Sequence, residues 1–212
     1  MDKNIKNVKE DFLFWSKRLY KNGMSPATSG NVSVRYGSDF LVSASGVCAY
    51  DMNENDIILI DKNAKILDEN QKKPTSEKIM HLEIYKERKD INAIIHCHCP
   101  ILTAFAVAGI EMEKTILPDF ALLFEKVRLV PYYCPSTKEL AQAVKEIFKT
   151  DDVALLKNHG IILGADNLKN TYYKLESLRA YAQTYLFAQI LGGAKSISKK
   201  SIEEIKKIYI KK

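Results

Sequence analysis

Short β-branched runs occur in this chain in two arrangements, and their interleaving limits the folds open to it. Val32-Ser33-Val34-Arg35 and Phe40-Leu41-Val42 are separated only by a turn at Gly37-Ser38, which predicts an antiparallel hairpin. A second hairpin is predicted around Lys62-Asn63, between Ile57–Ile60 and residues 65–67. Two further runs, Val153–Leu156 and residues 161–163, flank the tight turn Asn158-His159-Gly160. By contrast, the runs 93–98 and 127–130 stand apart, bounded by helix-length segments. Strands that pair locally, together with strands that alternate with helices, predict a single-domain α/β/α sandwich. Its central sheet is mixed, mainly antiparallel, and covered by helices on both faces.

The helical segments follow from apolar spacing. Ile5, Val8, Phe12, Trp15 and Leu19 lie three and four apart, one face of a helix that Gly23 stops. Residues 77–88 read as a helix capped by Ser76 or Thr75. A small-residue helix follows Pro100, an amphipathic one covers 136–148, one long helix covers 168–191, and a short charged helix closes the chain. There is no repeat, no low-complexity linker and no shift in composition. The 212 residues therefore read as one domain spanning 1–212, long enough to bury a core without disulfides.

Several function classes are disfavoured at this point. The four cysteines, Cys48, Cys97, Cys99 and Cys134, show no C-x-x-C spacing and no secreted-scaffold density. Met1-Asp2-Lys3-Asn4 is not a basic region leading into an apolar run, so no signal peptide is expected and a reducing cytoplasm is the default location. The longest nearly apolar stretch, 101–110, is too short to cross a bilayer, so no membrane partner is expected. The net charge of +6, from 32 basic and 26 acidic residues, comes from dispersed lysines. With no basic stripe and no nucleic-acid motif, no nucleic-acid partner is expected.

Chemistry concentrates on the histidines. The chain has four, and three of them sit beside turns in apolar, strand-like settings. Side chains two apart on a strand share a face, roughly 6.5–7 Å apart along the chain. His96 and His98 can therefore turn toward one ion, and the same alternation sends Cys97 and Cys99 to the opposite face. A mixed His/Cys structural zinc site is geometrically poor for that reason. His159, held at a turn, is a third candidate. Three imidazoles with an open fourth position are the donor set of a catalytic Zn²⁺. His81, inside the predicted helix, reads as ordinary surface or packing.

Three small-residue loops carry two readings each. Thr75-Ser76 is a helix cap, or an anion site made of hydroxyls and free N–H groups at a helix N-terminus. Ser29-Gly30-Asn31 and Ser45-Gly46 are plain turns, or loops whose backbone donors approach a phosphate. Glu77 is an unremarkable first-turn glutamate, or a general acid/base.

In this order, Thr28-Ser29-Gly30-Asn31-Val32-Ser33-Val34-Arg35, Ser45-Gly46, Pro74-Thr75-Ser76-Glu77, His96-Cys97-His98, Pro131-Tyr132 with Thr137-Lys138-Glu139-Leu140, and Asn158-His159-Gly160 resemble the class II aldolase and adducin-head family. The resemblance covers nearly the whole chain. It implies a class II aldolase-like domain that assembles as a homotetramer with active sites between subunits. His96, His98 and His159 would be the metal ligands, with Glu77 at the metal as catalytic carboxylate. Asn31, Ser45, Gly46, Thr75 and Ser76 would line a phosphate pocket, Gly30 would permit close approach, and Tyr132 would donate a proton in a neighbour's site. Tyr209 would match a tail tyrosine. The implied activity is zinc-dependent, reversible cleavage of a small sugar 1-phosphate, similar to L-fuculose 1-phosphate, into dihydroxyacetone phosphate and an aldehyde. Alternatives within the family are a methylthioribulose-1-phosphate dehydratase and a sugar-phosphate 4-epimerase. An adducin-like interaction module is disfavoured by the presence of all three histidines.

Overall fold

The computed structural model describes residues 4–69 and 72–209. Among these, seven strands form one sheet in the order β3-β2-β1-β4-β7-β6-β5. The strands are β1 (Asn31–Tyr36), β2 (Asp39–Ser43), β3 (Ile57–Ile60), β4 (Ala93–Cys97), β5 (Arg128–Val130), β6 (Val153–Leu156) and β7 (Gly160–Ala165). All neighbours pair antiparallel except β5 with β6, so the sheet is mixed and mainly antiparallel as expected. The parallel pair is joined by helix α5 (Lys138–Phe148), the crossover that parallel strands require.

Helices cover both faces, and strand alternation sorts the core between them. One apolar layer takes Leu41, Ala93, Ile95, Cys97, Leu155 and Leu163 from the sheet. It packs them against α1 (Ile5–Lys21), α3 (Pro100–Ala108), α4 (Pro118–Leu123) and α6 (Leu168–Ile190). The other layer takes Val42, Ile58, Ile94, Ala154 and Ile162, and packs them against α2 (Lys78–Glu87) and α5. Helix α7 (Lys199–Tyr209) lies against α4, where Lys206 pairs with Glu125 at 2.6 Å.

Local chemistry explains the helix ends. The Asn4 side chain accepts from the Lys6 N–H at the start of α1. At its other end Gly23, with φ of +65°, donates to the Tyr20 carbonyl while Met24 donates to Leu19, a Schellman stop with Met24 buried beneath it. Thr137 caps α5 by accepting from the Leu140 N–H, so this helix begins at Lys138 and not at 136.

Two local expectations change, and one region without an expectation gains structure. Residues 65–67 form no strand; the second hairpin shrinks to an Ile60–Ile66 bridge around a turn in which Asp61 accepts from the Asn63 and Lys65 N–H groups. Helix α2 begins at Lys78 with Glu77 as its N-cap, so neither Ser76 nor Thr75 is the cap and Glu77 lies before the first turn. The region 111–126, silent in the sequence, holds α4 and a Met112–Val127 bridge.

Candidate metal centre and active site

The topology gathers the predicted residues at one end of the sheet. Asn31 opens β1 directly opposite His96 near the end of β4, and Gly160 opens β7 beside it. The loops after β2, β5 and β6 leave the sheet at this same end. Thr75 N–H donates to the Ser43 carbonyl and Ser45 N–H to the Lys73 carbonyl, each at 2.9 Å. The segment before α2 therefore runs antiparallel to the end of β2, with Pro74 opposite Ala44, so that the loop after β2 and the start of α2 leave the sheet at the same end.

His96, His98 and His159 come together as predicted. Their rings meet edge-on with centroids 4.7, 5.0 and 5.1 Å apart. One ligand atom from each lies within 4.8 Å of the others, a set that could hold a metal ion. His96 is fully buried, and its Nδ1 lies 2.9 Å from the Ile161 carbonyl. That carbonyl can only accept, so Nδ1 carries the hydrogen and Nε2 is the nitrogen turned toward the cluster. The Nε2 atoms of His96 and His98 are 3.3 Å apart. Two nitrogens at tetrahedral positions around an ion with Zn–N of about 2.0–2.1 Å are separated by about 3.3–3.4 Å, so the donor set fits a tetrahedral metal. Burial, with the His96 ring nearby, lowers His98 and His159 to about 4, so both imidazoles are neutral at neutral pH and available as ligands. Cys97 and Cys99 are buried in the opposite layer, as the strand alternation requires, and burial raises both thiols.

The approach of the β6–β7 turn to β4 depends on a missing side chain. A Cβ on Gly160 would lie 2.5 Å from the Cys97 carbonyl oxygen and 2.9 Å from the His98 ring. Asn158 takes the left-handed conformation, φ +56°, to complete the turn. Gly30, at φ +80°, has a comparable constraint: its Cβ would lie 2.6 Å from the His96 carbonyl oxygen. Close approach at Gly30 is thus already required by the β4 backbone.

Glu77 reaches into the histidine cluster. Its Oε2 lies 3.2 Å from His96 Nε2 and accepts from the Asn31 amide at 2.9 Å, and its Oε1 lies 3.5 Å from His159 Nε2. Burial would raise its pKa, but His96, His159 and the Asn31 amide outweigh that and hold it well below the usual carboxylate range. Glu77 Oε1 and His159 Nδ1 are buried without a hydrogen-bond partner among the described residues. Such orphaned atoms in a polar cluster are what a bound ion or substrate would satisfy.

The remaining predicted residues divide by exposure. Ser45, Gly46 and Ser76 face solvent, whereas Thr75 is buried with its hydroxyl accepting from the Glu77 N–H at 3.3 Å. Tyr132 is 58% exposed on the loop after β5, at the same end of the sheet, where Lys157 N–H donates to the Val130 carbonyl. Tyr209 is exposed at the end of α7. His81 is not surface: it is fully buried on α2, bonded to Ser33, a partnership the sequence reading missed. Ser33 lies two residues after Asn31 and hence on the same face of β1, which is the signal that would have found it.

Comparison with known proteins gives this geometry its family. Residues 10–186 match the model of the class II aldolase and adducin N-terminal domain. The chain is 31% identical over 209 residues to the 5-deoxy-D-ribulose 1-phosphate aldolase of Bacillus thuringiensis, covering 97% of this chain and 96% of that one. It is 33% identical over 178 residues to the L-fuculose phosphate aldolase of Methanocaldococcus jannaschii, covering 84% and 95%. A solved L-fuculose 1-phosphate aldolase superposes with a TM-score of 0.88 at 29% identity, covering 96% of both chains. The chain is a member of the class II aldolase and adducin N-terminal domain family.

Proposed function

We propose that this protein is a zinc-dependent aldolase that reversibly cleaves a small sugar 1-phosphate into dihydroxyacetone phosphate and an aldehyde. The observation that carries the reading is the convergence of three imidazoles with an ionised, half-satisfied carboxylate at the open end of the sheet. A structural or adducin-like role would have no use for that set. His96, His98 and His159 would hold the zinc, with Glu77 close enough to join them. A bound zinc ion supplies the Lewis acidity that stabilises negative charge on the oxygens of a ketone substrate.

The chain's own residues divide the remaining work. Glu77, ionised at neutral pH, takes a proton from the substrate carbon or returns one to it, as general acid/base. The Asn31 amide, donating to Oε2, holds that carboxylate in one orientation. Ser45, Gly46 and Ser76 are exposed, and Ser76 directly precedes the N-cap of α2, a setting suited to a phosphate. Thr75 and Asn31 back this pocket from the buried side, and Gly30 lets β1 lie close against β4. Anchoring the phosphate binds the substrate away from the bond being broken and orients it. Tyr132 would protonate the aldehyde oxygen in an adjacent subunit's site; its exposure supports a role outside its own chain, and a homotetramer is the assembly we propose.

The test uses the relatives' own substrates. The zinc-loaded protein should release dihydroxyacetone phosphate from L-fuculose 1-phosphate or 5-deoxy-D-ribulose 1-phosphate, and act far more slowly on the unphosphorylated sugars. No dihydroxyacetone phosphate from any small ketose 1-phosphate would refute the aldolase reading. Equal rates with and without phosphate would refute the phosphate pocket.

A further inference from the structure

The end of β2 has a neighbour on each side, and an ion pair ties those two neighbours together. On one side the Ala44 N–H donates to the Asp56 carbonyl at 2.8 Å, continuing the β2–β3 ladder. On the other side Ala44 bridges to Pro74, between the Ser45-to-Lys73 and Thr75-to-Ser43 backbone bonds. Segments two strands apart are separated by roughly 9.5 Å. Lys72 Nζ nevertheless reaches Asp56 Oδ1 at 2.6 Å, so the pair acts as a clasp across residues 43–46.

This pair differs from the others that lysine makes. The Asp56 side chain is 2% exposed, whereas the other carboxylates paired with lysine among the described residues are 19–82% exposed. Local capping does not account for it. Asp56 Oδ2 accepts from the Asn53 N–H at 3.0 Å, which completes the capping box of the 3₁₀ turn Glu54–Asp56. Oδ1 is committed to a residue sixteen positions further on. A buried carboxylate is costly unless paired, and loss of its partner leaves a charge that water must relieve. Without the Lys72 ammonium, the ladder beside Ala44 has to loosen for water to reach Oδ1. Ser45 and Thr75 are rungs of that ladder, and Gly46 and Ser76 follow them directly. The Glu77 carboxylate is held separately, by the Asn31 amide of β1.

We propose that Asp56 and Lys72 are positioning residues for the phosphate loops: their ion pair keeps Ser45-Gly46 and the segment before α2 in register. Loops ordered in advance lose less freedom when an anion binds, so the clasp acts on affinity. The role rests on the reading of these loops as a phosphate pocket.

Residue-resolved amide hydrogen exchange tests the clasp, and kinetics of the zinc-loaded protein test what it positions. Lys72→Met removes the charge and keeps most of the apolar stem, whereas Lys72→Arg keeps the pair. The Ser45 and Thr75 amides should exchange about 10- to 100-fold faster in Lys72→Met and near the wild-type rate in Lys72→Arg, with β4 and β7 unchanged. Unchanged exchange at Ser45 and Thr75, or equal acceleration throughout the sheet, overturns the proposal whether or not the protein is an aldolase. In turnover of a ketose 1-phosphate, Lys72→Met and Asp56→Asn should each raise KM about 10-fold, with kcat and zinc content unchanged. A fall in kcat at constant KM would overturn the role. Asp56→Asn also separates positioning from direct contact: a lysine that binds the phosphate itself would be freed by this change, and a lowered KM would overturn the proposal. A wild type that shows the exchange pattern but binds neither inorganic phosphate nor a ketose 1-phosphate would overturn the phosphate reading. The positioning role would fall with it, leaving the clasp as a structural tie.

Discussion

The two faces of β4 are one residue apart and do opposite jobs. Ala93, Ile95 and Cys97 point into the layer beneath α3 and α6, where they are fully buried among apolar side chains. His96 points the other way, toward Asn31, Glu77 and the β6–β7 turn. Both faces are buried, yet the strand's own side chains on one are apolar and the other ends beside a cluster of unsatisfied polar atoms from Asn31, Glu77 and His159. Burial alone therefore does not distinguish packing from chemistry in this strand. Parity along the strand does, together with which loops arrive at its end.

The comparison breaks most visibly at the metal. His96→Ala should lose the bound zinc and reduce turnover to background, read by metal analysis and by release of dihydroxyacetone phosphate. Full zinc retention in that variant would remove His96 from the donor set. An intermediate effect is expected where the turn presses on the strand. Gly160→Ala puts a methyl group against the Cys97 carbonyl and the His98 ring, neither of which is a flexible side-chain end. It should cost about 1–3 kcal/mol of stability, the usual range for overpacking. By displacing a ligand it should also weaken zinc binding by about 10- to 100-fold, the size seen when a ligand's support is disturbed. Zinc titration beside a denaturation curve checks both, and unchanged affinity would mean that β7 can move without disturbing His98. The smallest effect belongs to the packing face. Cys97→Ala should keep its zinc and its activity and lose only about 0.5–1.5 kcal/mol, as for removal of one methyl-sized buried group. Loss of zinc in this variant alone would reverse the assignment of the two faces.

Much of this arrangement was legible in the sequence because it depends on short-range periodicity. The spacing of Phe12, Trp15 and Leu19 identifies α1, and the alternation around His96 separates histidines from thiols. What escaped is what depends on distant segments. Six residues of α4 carry no resolvable period, and their place is set by packing on α6 and α7. Helix α2 starts only at Lys78 because Pro74 and Thr75 bridge to Ala44 and Ser43, a pairing across about thirty residues. The sequence leaves His81 open between surface and packing because α2 buries Met80, His81, Leu82, Ile84 and Tyr85, with little amphipathic contrast to show which side its polar residue faces. The role of Gly30 was assigned to an approaching ligand, whereas the β4 backbone already demands the missing Cβ.

The central claim is that Glu77 works on the substrate as a base, beyond its position as the N-cap of α2. It is tested most directly by proton exchange without any aldehyde present. Zinc-loaded protein is incubated with dihydroxyacetone phosphate in D₂O, and the C3 proton signal is followed by NMR for wild type and for Glu77→Gln. Zinc content and thermal melts are recorded on the same samples. Glu77 makes no side-chain capping bond to α2, so the variant should fold. The account predicts exchange by the wild type and a fall of about 10²- to 10⁴-fold in Glu77→Gln, the usual worth of general acid–base catalysis. Exchange at the wild-type rate in a folded, zinc-loaded Glu77→Gln protein would contradict it.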